Sequence, residues 1–153
     1  MKYDNSFHVS LKVILKDNND KILALKMPDG SSMEGYFDFP GGRIAENEAD
    51  KSFLKIIERE LIEEIGDKVK YRLSSKPVAF SVHSYNSKKY DRKIDILCLF
   101  FKADYLEGEI IISSEHKDFC WLKFTNDNID KYFIKGPLEG MKNYLKTNYL
   151  EKI

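Results

Sequence analysis

The sequence predicts an α/β fold, an α-β-α sandwich in which helices cover a mixed β-sheet. Three observations carry this. Segments of strand character lie both before and after one long amphipathic segment, the first two are joined by a hairpin-type turn, and two further helical patterns close the chain.

Residues 7–15 alternate, with Phe7, Val9, Leu11, Val13 and Leu15 on one face, which predicts a half-buried strand. A second strand over 21–27 follows the turn Asp17-Asn18-Asn19-Asp20, a hairpin composition. A loop rich in Gly and Ser leads to a short aromatic strand over 36–39, ended by Pro40-Gly41-Gly42. Residues 47–65 predict the main helix. Asn47 is its cap, Glu48 and Asp50 suit its first turn, and Gly66 lies just past its end. Leu54, Ile57, Leu61 and Ile65 form the predicted core stripe. Further strands are expected over 69–74, 77–85, 93–103 and 118–124, then helices near 126–134 and 137–151.

With 153 residues and no repeat, low-complexity tract or linker, a single domain over 1–153 is expected. Acidic and basic residues balance at 25 each, which argues against a general polyanion binder, so no nucleic-acid partner is expected. No apolar run approaches signal-peptide or membrane-spanning character, so no membrane partner is expected. Cys98 and Cys120 form neither a CxxC pair nor a zinc spacing, and Cys98 sits in an apolar run as an inert thiol would. A reducing cytoplasm is the expected location.

The stretch Arg59-Glu60-Leu61-Ile62-Glu63-Glu64-Ile65-Gly66 carries the chemistry. On a helix Glu60, Glu63 and Glu64 share one side, and their mutual repulsion costs stability unless a cation lies among them. Oxygen ligands suit Mg²⁺, with Mn²⁺ as the alternative, and such an ion takes its remaining ligands from water and phosphate. Spacing alone favours a solvated acidic face. The company of Phe39-Pro40-Gly41-Gly42, a turn able to aim carbonyls at the same ion, favours the metal site.

This combination resembles the Nudix family, whose signature is G-x5-E-x7-R-E-U-x-E-E-x-G-U, where U is a bulky aliphatic residue. Gly42, five residues and Glu48 match its opening, and Arg59 to Gly66 match its closing half. Two departures stand out. Ten residues rather than seven separate Glu48 from Arg59, so Glu46 competes with Glu48 for the family glutamate, and Asp67 occupies the last aliphatic position, with Val69 expected to pack instead. The three extra residues are expected before Phe53, leaving 59–66 as regular helix with the carboxylates turned toward Gly41.

The resemblance implies that Glu60 and Glu64 ligate metal, with Glu63 ligating or shaping its water shell and the Gly41 carbonyl as a further ligand. Arg59 would orient the carboxylates. A metal-activated water would attack a diphosphate phosphorus. The general base is expected among Glu63, Glu64 and Glu115, since family members often carry a glutamate in a loop such as Ser113-Ser114-Glu115-His116. His116 itself is expected at the surface, and His8 and His83, on strands, are expected to be structural or exposed. On the substrate side, Arg43 could pair with a phosphate, and Tyr36 and Phe39 could stack on a base, although strand aromatics are ordinarily core.

The expected function is therefore Mg²⁺-dependent hydrolysis of a nucleoside diphosphate linked to another group: a nucleoside triphosphate, a sugar nucleotide or a dinucleoside polyphosphate. The alternative is a non-catalytic nucleotide-binding Nudix module, though all three motif glutamates remain. An isomerase resembling isopentenyl diphosphate isomerase would need an early cysteine, and none precedes Cys98. A homodimer is a possible assembly, because dimers are common in the family.

Overall fold

The structure, a computed structural model, describes residues 5–150, with side chains described through residue 147. Its strands are β1 (Phe7–Lys16), β2 (Ile22–Lys26), β3 (Phe37–Asp38), β4 (Gly41–Arg43), β5 (Lys70–Ser87), β6 (Arg92–Glu107) and β7 (Asp118–Leu122). The helices are α1 (Phe53–Ile65) and α2 (Lys135–Leu150). The sheet is mixed: in the order β3-β2-β1-β6-β5, β1 and β6 are parallel and the other pairs antiparallel, while β4 adds to β1 and β7 to β2.

Each face of the sheet carries its own apolar cluster. Leu11, Val13, Leu15, Leu23 and Leu25 pack with Ile56, Ile57, Leu61 and Ile65 of α1. On the opposite face Ile14, Ala24, Phe39 and Phe100 pack with Phe133, Met141 and Tyr144. Burial of both faces follows from the sequence of β1, where Ile14 interrupts the polar positions and brings an apolar side chain to the second face.

Several boundaries differ from expectation. The main helix begins at Phe53, not 47: Ser52 caps it, accepting the Lys55 N–H, while residues 46–48 form one 3₁₀ turn. The cause is Glu48, which is drawn inward by Arg59 and so cannot lie on the first turn of the same helix. Thus the slack between Glu48 and Arg59 falls before Phe53. The core stripe also rotates. Leu54 is 39% exposed, and Ile56 is buried in its stead.

The expected strands over 69–74 and 77–85 are one strand with register shifts between Leu73 and Pro77 and between Pro77 and Ala79. Ser74 bridges the irregularity, its hydroxyl donating to the Lys76 carbonyl and accepting the Lys102 N–H. The helix expected near 126–134 reduces to a 3₁₀ turn over Ile129–Lys131. The end of the last predicted helix, residue 151, lies outside the described residues. At the α1 exit, Gly66 adopts φ 93° and its N–H bonds the Ile62 carbonyl, while Val69 is buried as expected.

Candidate active site

Burying Ile56 determines where the glutamates go. Glu60 and Glu64 follow it at intervals of four, so the rotation that seats Ile56 also carries these two carboxylates to the edge of the core. Glu63 is turned away and its side chain is 57% exposed. The three glutamates therefore divide into two that face the Gly41-Gly42 turn and one that faces solvent.

The turn is built to receive them. β4 pairs with β1, setting Gly41 opposite Lys12 and Gly42 opposite Leu11. Gly41 has φ 125°, and a Cβ there would collide with the Leu11 carbonyl. At Gly42 a Cβ would lie 2.6–2.7 Å from the Glu60 carboxylate, so a side chain there would push that carboxylate off the turn. The Gly41 N–H donates to Glu64 Oε2 at 2.6 Å.

Arg59 organises the acidic side of the site. Its Nε and Nη2 donate to the two oxygens of Glu48 at 2.6 and 2.9 Å; Nη2 also reaches Glu60 Oε1 at 2.8 Å, and Nη1 reaches Glu63 Oε2 at 2.8 Å. Glu48 in addition accepts the Ala45 N–H at 3.2 Å. The hydrogen bond from Arg59, then that from Ala45, hold the Glu48 carboxyl below its usual range. Glu48, not Glu46, is thus the glutamate bound to the motif arginine.

The two carboxylates facing the turn both shift the other way from Glu48. Desolvation raises Glu60 against the opposing hydrogen bond and charge of Arg59. Desolvation pushes Glu64 up to about 7, although Lys12 and the Gly41 N–H favour its charged form. Lys12 Nζ donates to Asp38 Oδ2 at 2.8 Å, the Gly41 carbonyl at 3.2 Å and the Phe39 carbonyl at 3.5 Å. Burial opposes the Lys12 charge, but Asp38 and Glu64 outweigh it and keep the ammonium's pKa above its ordinary value.

The loop before β7 closes the other side. The Ile111 and Ser113 N–H groups bond the Ile65 and Glu64 carbonyls, tying the loop to the end of α1. Glu115 is exposed there, and its backbone N–H donates to Ser113 Oγ. His116, expected at the surface, has a side chain only 7% exposed, with Nε2 3.9 Å from Glu64 Oε1 and Nδ1 buried without a hydrogen-bond partner among the described residues. Desolvation lowers its pKa. The segment packs inward because its backbone is pinned to α1, which a local reading of polar loop residues does not register.

Beside the turn lies a cavity of about 290 Å³ whose lining includes Lys12, Asp38, Arg43, His83, Tyr85 and Lys135. Arg43 Nη1 donates to Tyr85 Oη at 2.8 Å, and its guanidinium lies 5.7 Å from that ring's centre. Tyr36 is half-buried in the turn before β3 and is not part of this lining. Phe39 corrects the stacking expectation: its ring is fully buried, stacked on Phe133 at 4.6 Å and edge-on to Phe100, so it offers no face to a ligand. Cys98 is buried, as expected for an inert thiol, and desolvation raises its pKa.

The donor set fits a hard divalent ion. Glu60 and Glu64 are desolvated carboxylates set against one glycine turn, oxygen donors of the kind such an ion takes. Among the described residues, no three His, Cys, Asp or Glu side chains form a ready-made metal cluster. The outward turn of Glu63 accounts for that, so an ion here would rest on two carboxylates with water and phosphate completing its shell, a usual arrangement for Mg²⁺.

Lys12 and Asp38 are the site residues that local pattern reading misses, because His8, Ser10 and Lys12 look like the solvent positions of an alternating strand. The available signal is Ile14, which shares their parity and shows that this face is covered.

The NUDIX domain family profile matches residues 6–131. No curated protein sequence matches the chain significantly. Among solved structures, the MutT protein from Methanosarcina mazei Go1 superposes with a TM-score of 0.73 at 16% identity, covering 99% of this chain and 100% of that one. An ADP-ribose pyrophosphatase from Streptococcus suis 89-1591 gives 0.58 at 17% identity, covering 96% and 92%. The NUDIX domain of Shewanella oneidensis NrtR, complexed with ADP ribose, gives 0.62 at 11%, covering 97% and 90%. Among the described residues no helix is long and apolar enough to cross a membrane. A family match spanning most of the length, on a sheet that brings Glu48, Arg59, Glu60 and Glu64 to one glycine turn, places this chain in the Nudix family.

Proposed function

We propose that this protein is a Mg²⁺-dependent hydrolase of a diphosphate bond in a nucleoside diphosphate linked to another group. The observation that carries the reading is the pair Glu60 and Glu64, two desolvated carboxylates packed on the Gly41-Gly42 turn beside a cavity rimmed by cations. Burying such a pair is unfavourable for a structural protein and useful for one that binds a cation.

The bound ion would polarise phosphoryl oxygens and lower the pKa of a water molecule. Glu60 and Glu64 would hold it. Arg59 fixes Glu60 and Glu63 and anchors them to the buried Glu48. Arg43 and Lys135, on the cavity rim, attract the anionic substrate and orient its phosphates. Of the three candidate bases, Glu63 is tied to Arg59 and Glu64 to the Gly41 N–H. Glu115 is exposed on a loop anchored to α1, so it is our choice as the group that takes the proton.

A screen with Mg²⁺ over nucleoside triphosphates, sugar nucleotides, ADP-ribose and dinucleoside polyphosphates, with products resolved by chromatography, tests this. Cleavage of one class that disappears with chelator is the expected result. Tight binding of a nucleotide without cleavage would support the alternative, a non-catalytic module.

A further inference from the structure

Lys12 is an unusual residue to find at this position. It lies in the middle of β1, directly opposite Gly41, and its side chain is only 13% exposed. An ammonium has three N–H donors, and the three acceptors within reach are Asp38 Oδ2, the Gly41 carbonyl and the Phe39 carbonyl. Its donors are therefore engaged by the protein, and it is poorly disposed to grip a substrate phosphate directly. It also stands in the field of Glu64, which helps hold it charged.

The Gly41 carbonyl is the oxygen that the family resemblance assigns to a metal. A divalent ion bound there at about 2.1 Å, with an ammonium on the same oxygen, would place the two cations within about 5 Å of one another. Their repulsion at that range is too large to ignore in a partly buried site. Lys12 and an ion on this carbonyl are thus competitors.

We propose that Lys12 is a resident cation of the site, holding Asp38 and the Gly41 carbonyl in place of a second divalent ion, so that the chain takes one Mg²⁺ between Glu60 and Glu64. This rests on the metal-dependent reading above. Lys12 is a positioning residue in this scheme, because it acts through the turn and touches no reacting atom. Its ion pair joins β1 to the end of β3, and the carbonyls it binds belong to the turn that receives both glutamates.

The test is metal stoichiometry, read independently of activity. Mn²⁺ is titrated into the protein and the free ion followed by electron paramagnetic resonance in wild type, Lys12→Met and Glu60→Gln. Wild type should bind one ion per chain. Lys12→Met should bind a second, or bind its ion about tenfold or more tightly, since a nearby positive charge is gone. Glu60→Gln should lose the wild-type ion. Two ions in wild type, or the same number and affinity within about twofold in Lys12→Met, would overturn the proposal while leaving a Glu60-dependent metal site intact. Loss of Mn²⁺ binding in every variant would instead overturn both readings.

Removing Lys12 alone leaves Asp38 buried without its partner, which can unfold the protein. Lys12→Met with Asp38→Asn removes both charges, keeps an acceptor for the Phe39 N–H, and should also bind a second ion at the freed carbonyl. If neither variant melts cooperatively, the wild-type count decides: one ion supports the proposal and two overturn it.

Discussion

Replacing Glu64 with Gln should make the metal-free protein more stable while silencing it. Glu64 is 5% exposed, and desolvation pushes its carboxyl from 4.5 to about 7. A carboxyl with a raised folded-state pKa costs nothing below its unfolded value, because both states are then protonated. The cost grows as pH rises from about 4.5, and it is complete above about 7. A gap of about 2.5 pH units corresponds to roughly 3 kcal/mol at 1.36 kcal/mol each. Gln removes that cost and keeps an oxygen for the Gly41 N–H. At about 2–4 °C per kcal/mol for a chain of this size, the variant's melting temperature should exceed wild type by roughly 6–12 °C at pH 8 without metal. At pH 4 the two should nearly coincide. Calorimetry in chelator at both pH values is the assay. A Glu64→Gln protein no more stable than wild type at pH 8 would refute the reasoning that an uncompensated buried charge sits at this position.

The same variant should lose hydrolysis by several orders of magnitude, as should Glu60→Gln, since about 1.4 kcal/mol of lost transition-state stabilisation is tenfold in rate; steady-state rates with circular dichroism as a folding control check this. Mg²⁺ should raise the wild-type melting temperature, whereas Na⁺ at equal ionic strength should do so much less, because a ligand bound to the native state alone stabilises it. Glu115→Gln should lower kcat by about 10²-fold or more with little change in metal-induced stabilisation, the signature of a base rather than a ligand. Phe39→Ala should cost about 3–5 kcal/mol in denaturant melts, as a core cavity does; an unchanged melting midpoint with a raised KM would instead restore Phe39 as a substrate contact.

Much of this fold is legible in the sequence because it is written in local pattern. The alternation of β1, the Asp17 to Asp20 turn and the Gly66 exit each act over a few residues, and all three appear where expected. What local pattern misses is set by contacts between distant segments. Glu48 leaves the helix because Arg59, eleven positions on, outbids the first turn for its carboxylate. His116 turns inward because its loop is pinned to α1, and Lys12 is largely withdrawn from solvent because Asp38 and the 39–41 turn bond it on a face that the strand presents as polar. The strands expected over 69–74 and 77–85 are one strand with an irregularity at Pro77, where the Ser74 hydroxyl bonds the Lys76 carbonyl and the Lys102 N–H. The acidic motif itself is legible; the division of labour within it is not, because which glutamate is buried depends on the rotation that seats Ile56.

That division has an electrostatic consequence for the proposed chemistry. Glu48, Glu60, Glu63, Glu64 and Asp38 gather around two resident cations, Arg59 and Lys12. Each of these two cations is bonded to carboxylates at hydrogen-bond distance, and Lys51 adds a more distant ion pair to Glu48, so the carboxylates still outnumber the cations. A substrate arriving at this excess of negative charge would be repelled unless a divalent ion came with it or preceded it. The cations Arg43 and Lys135, which line the cavity, can draw the substrate toward it, and neither is bonded to the Arg59 cluster among the described residues. The arrangement thus separates two tasks by position: attraction at the cavity mouth, and neutralisation between Glu60 and Glu64. The extra residues before Phe53 leave both untouched, because they lengthen only the passage from Glu48 to the helix, and Arg59 reaches back to hold Glu48 wherever that passage ends.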